Sequence, residues 1–122
     1  MSDIVIYEEN DLMRALLQEW LSDAGYRVRA GPPGVNLGGA KLVIVSVYMP
    51  KHSGPQLVRE IRAAHPGTAL IAISGQFRAG LSTVGATAQT LGVQQVIAKP
   101  FTCSDLLTAV RAIIGASSGM AH

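Results

Sequence analysis

Three short runs of this 122-residue chain are apolar at every position: IVIY (Ile4 to Tyr7), LVIV (Leu42 to Val45) and ALIAI (Ala69 to Ile73). A strand with one wet face alternates apolar and polar residues, so runs without alternation belong to strands buried on both faces. They imply a parallel sheet sandwiched between helices. Two weaker strand candidates, YRVRA (Tyr26 to Ala30) and QVIA (Gln95 to Ala98), bring the set to five. An apolar share of 48% suffices to cover such a sheet within one domain.

Helical periodicity fills the intervals. Asn10 is a good N-cap, and Leu12, Met13, Leu16, Leu17, Trp20 and Leu21 form a stripe that ends at Gly25. A second helix is expected from Pro55, with Leu57, Val58 and Ile61 inward and a stop before Pro66. A third follows TCSD, where Thr102 and Asp105 have capping-box spacing, and buries Leu106, Leu107, Val110, Ile113 and Ile114. Gly31 to Gly39 (GPPGVNLGG) predicts a loop or a single turn, and Gly75 to Thr90 a short helix beginning after Ser82. The expected domain is 1–115, with 116–122 a flexible tail. Alternating strands and helices give a doubly wound α/β sandwich with right-handed crossovers. Ligands of such folds sit at the carboxyl ends of the strands.

Composition excludes several classes. The apolar runs are far too short to span a membrane, and the N-terminus carries acids where a signal peptide would carry lysines, which predicts a cytoplasmic protein. Cys103 is the single cysteine, and His52, His65 and His122 show no metal-ligand spacing with it. Cys103 therefore reads as a small packed side chain. The net charge of +2 comes from scattered residues without a basic run, so nucleic acid is not an expected partner.

At the carboxyl ends of the expected strands stand Glu8 and Glu9, Ser46, Ser74 with Gly75, and Lys99 with Pro100. A nucleotide or flavin domain would follow its first strand with a Gly-rich or Ser/Thr-rich phosphate loop, whereas adjacent carboxylates repel a phosphate unless a cation intervenes. The acids call instead for a hard divalent ion or a lysine. In order, the acidic pair, Met49-Pro50 and Gly54, Ser74-Gly75 and Lys99-Pro100-Phe101 resemble the receiver domain of two-component response regulators, over nearly the whole chain from Asp3 to Ile114. The resemblance implies a flavodoxin-like, receiver-type sheet of strand order 2-1-3-4-5; the Gly- and Pro-rich segment Gly31 to Gly39 departs from the family in leaving the helix region between the second and third strands, its second helix, shorter than is usual. It also implies an Mg²⁺ site at Glu8, Glu9 and the backbone carbonyl of Tyr48, phosphoryl-binding roles for Ser74 and Lys99, and a cis bond at Lys99-Pro100.

The phosphoacceptor position, an aspartate in that family, is Ser46 here. A serine hydroxyl is protonated at neutral pH and needs a base, and its phosphoester lacks the lability of an acyl phosphate. The substitution also removes one ligand of the metal, and two Glu in place of two Asp further weaken a site that demands octahedral geometry. Val96, at the position of the family's switch aromatic, has no ring to move. The expectation is a receiver that is not phosphorylated at Ser46, is not an enzyme, and works by contact with a histidine kinase, a phosphotransfer protein or an output domain. Ser46 is expected to bond to neighbouring backbone and cap its turn. Lys99 is expected to reach the glutamates as a fixed ion pair; Tyr48 and His52 are placed on the rim of the pocket, and Phe101 in packing. The alternatives are phosphotransfer through another acceptor such as Glu8 or Glu9, an introduced Asp-to-Ser change in an ordinary receiver, which Val96 argues against, and a nucleotide-binding domain.

Overall fold

The three apolar runs form the middle of a five-stranded parallel sheet, ordered β2-β1-β3-β4-β5. Its strands are β1 (Ile4–Tyr7), β2 (Val28–Gly31), β3 (Leu42–Ser46), β4 (Ala69–Ser74) and β5 (Gln95–Ala98), with helices α1 (Asp11–Asp23), α2 (Gly54–Ala64) and α3 (Cys103–Ile114). The computed structural model describes residues 3–31, 39–46, 54–74, 95–98 and 101–115, with backbone alone for 54–57, 74, 96 and 98. The expected single turn or loop in 32–38, the short helix after Ser82 and the tail 116–122 lie outside the described residues. Among the described residues no helix is long and apolar enough to cross a membrane.

Strand parity divides the core into two layers. On one face Ile4 and Ile6, Leu42 and Ile44, Ile71 and Ile73, and Ile97 pack with Leu17 and Leu21 of α1 and Leu106, Ala109 and Val110 of α3. The intervening residues Val5, Tyr7, Val43, Val45, Leu70 and Ala72 are equally buried, as are Val58 and Ile61 of α2. A hydrogen bond between Tyr7 and His65, just past α2, places that helix over this second face. Burial on both sides explains the missing alternation, since each aliphatic side chain withdrawn from water contributes about 1.5–3 kcal/mol.

The helix ends follow their sequence signals. The Asn10 side chain accepts from the Met13 N–H at 2.9 Å, and α1 closes with Gly25 at φ 98°, a conformation that costs glycine little. In α3 the Thr102 hydroxyl accepts from the Asp105 N–H while the Asp105 carboxylate accepts from the Thr102 N–H, both at 3.0 Å. Helix α2 begins at Gly54, one residue ahead of the expected Pro55, and ends before Pro66 as expected.

Two expectations are corrected. Leu12 is 84% exposed and does not join the buried stripe of α1. At 100° per residue it stands roughly 140° around the helix from Leu17, on the solvent side. The second strand runs Val28–Gly31, not Tyr26 to Ala30, because the Tyr26 N–H still donates to the Leu21 carbonyl at 3.1 Å and belongs to the end of α1.

Candidate functional site

Parallel register brings the ends of β1 and β3 together. Tyr7 lies beside Val45, so the next residues, Glu8 and Ser46, fall side by side at the carboxyl edge of the sheet. The Ser46 hydroxyl donates to Glu8 Oε1 at 2.6 Å. Oε2 accepts from the Asn10 N–H at 3.1 Å. The backbone of Glu8 is held as well: its N–H donates to the Gly31 carbonyl at 3.0 Å, and its carbonyl accepts from Arg14 Nη1 at 2.8 Å. The other end of the Arg14 guanidinium pairs with Asp11.

The two glutamates are therefore unlike. Glu8 is 0% exposed and Ser46 3%, whereas Glu9 faces water. The reading of Ser46 as a cap on neighbouring backbone is corrected: its hydroxyl goes to the Glu8 carboxylate, because register and parity aim both side chains to the same side. An O–H···O distance of 2.6 Å is that of a hydroxyl bonded to a carboxylate.

Other expected site residues are only partly visible. Ser74 ends β4 beside Ala98, and Val96 pairs with Ala72, but their side chains lie outside the described residues. Tyr48, Met49, Pro50, His52, Gly75, Lys99 and Pro100 lie outside them too, so the structure does not describe the lysine pair or the rim. Phe101 packs edge-on against Trp20 with ring centroids 6.1 Å apart, as a packing residue should, and Cys103 is half-buried. Among the described residues no cluster of three His, Cys, Asp or Glu side chains could hold a metal ion.

Three contributors escaped the sequence reading. Asn10 was legible as a helix cap but not as a donor to Glu8, and Arg14 had no signal beyond its position on the first turns of α1. His65 is buried, and its Nε2 lies 2.7 Å from the hydroxyl of Tyr7, the residue before Glu8. Strand parity could have placed Tyr7 on the α2 face, but nothing in the sequence paired it with a histidine.

Residues 4–111 match the response regulator receiver domain. The chain belongs to that family. Among curated relatives, this receiver is 29% identical over 119 residues to the sensor kinase CckA of Brucella abortus (strain 2308), covering 91% of the chain and 12% of the kinase. It is 32% identical over 103 residues to the Regulator of RpoS of Escherichia coli (strain K12), covering 80% of the chain and 30% of that protein. With the transcriptional regulatory protein CusR of the same strain the identity is 25%, over 91% of the chain and 50% of CusR. The receiver thus spans between 12% and 50% of the length of these relatives.

Solved structures agree on the fold. The chemotaxis protein CheY4 of Vibrio cholerae superposes with a TM-score of 0.74 at 19% identity, covering 93% of this chain and 98% of that one. The receiver domain of sensor histidine kinase PA1611 of Pseudomonas aeruginosa, which holds a magnesium ion in its active site cleft, gives 0.72 at 22% identity, with 94% and 98% covered. The expected flavodoxin-like, receiver-type sheet of strand order 2-1-3-4-5 is the observed one.

Proposed function

We propose that this domain is an atypical receiver that signals by protein–protein contact and takes no phosphoryl group at Ser46. The observation that carries the reading is the buried Ser46–Glu8 hydrogen bond at the carboxyl edge of β1 and β3. At the acceptor position stands a hydroxyl that donates to a carboxylate, in place of a carboxylate that could attack phosphorus. The product of attack by Ser46 would be a stable ester, ill suited to a reversible signal.

In this reading Glu8, Glu9 and the Tyr48 carbonyl are a vestigial Mg²⁺ site, Ser74 and Lys99 the remnants of phosphoryl binding, and Val96 a switch position without a ring. Carboxylate and carbonyl oxygens are the right donors for Mg²⁺, and the PA1611 receiver holds a magnesium ion in its active site cleft. Their disposition fits poorly: Glu8 is sealed from solvent and each of its carboxylate oxygens accepts a hydrogen bond. Mg²⁺ binding is accordingly weakened. The partner is a histidine kinase, a phosphotransfer protein or an output domain, met in the cytoplasm, and the relatives that carry such domains in longer chains support that class.

Intact mass after incubation with Mg²⁺ and a small acyl-phosphate donor tests the reading, with Ser46→Asp alongside. The wild type is expected to stay unmodified while the variant gains one phosphoryl group. Uptake by the wild type, on any side chain, would sink the proposal.

A further inference from the structure

We infer that Ser46 engages the Glu8 carboxylate itself, so that the resting arrangement of these two side chains is set by a protein hydrogen bond and needs no divalent cation. The inference rests on the assignment of Glu8 and Ser46 to the receiver site and adds how that site is held.

Two carboxylates forced together in one pocket repel, and each resists ionisation unless a cation lies between them. With Ser46 in place of an acid that repulsion is absent, and the neutral hydroxyl supplies a donor where a cation would supply positive charge. The 2.6 Å bond is buried at both ends. Further contacts hold Glu8 in the orientation that the bond requires, among them Asn10 N–H on Oε2, Arg14 on its carbonyl and the Gly31 carbonyl on its N–H. An ion seeking Glu8 would have to displace the Ser46 hydroxyl, leaving a buried donor without its acceptor, and would have to open a carboxylate that is 0% exposed. Mg²⁺ also sheds its own water reluctantly. The competition therefore favours the hydroxyl, and the obstacle to metal binding is the bond itself as well as the missing ligand.

That distinction is testable in the full 122-residue chain. Unfolding is followed in EDTA, in 10 mM MgCl₂ and in NaCl of matched ionic strength, for the wild type, Ser46→Ala and Ser46→Gly. Both variants remove the donor without adding a ligand. A site with a Kd of about 1 mM would raise the ratio of folded to unfolded protein about elevenfold at 10 mM free ion. The wild type is expected to change by less than about twofold beyond the NaCl control, and at least one variant to gain about threefold or more. A gain of about tenfold in the wild type overturns the inference. So does a silent wild type with both variants silent, since the hydroxyl would then not be what keeps the ion out. An Mg²⁺ response in a wild type that still takes no phosphoryl group would overturn this inference alone and leave the proposed function standing.

Discussion

Tyr7 and His65 meet on the α2 face of the sheet, at 3% and 4% exposure, with the hydroxyl 2.7 Å from Nε2 and the rings tilted at 59°. A buried polar pair is costly to break from one side only, because the survivor keeps its desolvation penalty and loses its compensation. Tyr7→Phe leaves His65 Nε2 without that partner and is expected to cost about 1–3 kcal/mol in urea unfolding. Adding His65→Leu to that variant removes the stranded group, and most of the loss should return, apart from any misfit of the differently shaped leucine. If the single variant unfolds at the wild-type midpoint, the bond contributes nothing. The same asymmetry governs Ser46 and Glu8, one residue further along β1 and on the opposite face of the sheet. Two buried polar pairs thus brace the carboxyl end of β1 from its two sides.

Within the elements, helix α1 separates what periodicity can predict from what it cannot. Leu17 is fully buried and Leu12 is 84% exposed, although both are leucines of one amphipathic run. Leu17→Ala is expected to cost about 2–5 kcal/mol, and Leu12→Gln to fall within about 0.5 kcal/mol of the wild type. Equal losses in chemical denaturation would mean that Leu12 is covered by something in solution. The sequence made the strands legible because apolar runs without alternation admit one solution, and it made the caps of α1 and α3 legible because Asn10 and the Thr102–Asp105 box act locally. The exposure of Leu12 was not legible, since it depends on where α1 crosses the sheet. In the site, the residue types Glu8, Glu9 and Ser46 could be picked out by order along the chain. Their union through a hydrogen bond could not, because it arises from register between strands 38 residues apart. The contribution of Arg14, a side chain reaching a backbone carbonyl six residues earlier, has no sequence signature at all.

At the scale of the molecule, Tyr26 joins distant parts of the chain. Its ring is in the core beside α1 and its hydroxyl donates to the carbonyl of Gly115, 89 residues away, at 2.6 Å. Gly115 caps α3, its N–H returning to the Arg111 carbonyl at 2.9 Å, so the bond ties the end of the last helix to the connection between α1 and β2. Burial pushes the Tyr26 phenol above its usual value; the charge of Arg111 and a hydrogen bond with it oppose the rise, and Asp3 adds to it. The folded state therefore holds this proton more tightly than the unfolded chain, whose tyrosines titrate near about 10. By linkage, the contribution is fully present below that pH and is lost as pH rises from there through the higher folded-state value. Ionisation would also remove the proton that bonds Gly115. Urea midpoints measured from pH 8 upward should fall more steeply above about pH 10 for the wild type than for Tyr26→Phe, which lacks the titrating group. At neutral pH the order is reversed in cause: the phenylalanine variant is the weaker protein, because the Gly115 carbonyl loses its donor. Parallel curves across the alkaline range would mean that Tyr26 titrates alike in the folded and unfolded chain, and that the tie to α3 is open in solution.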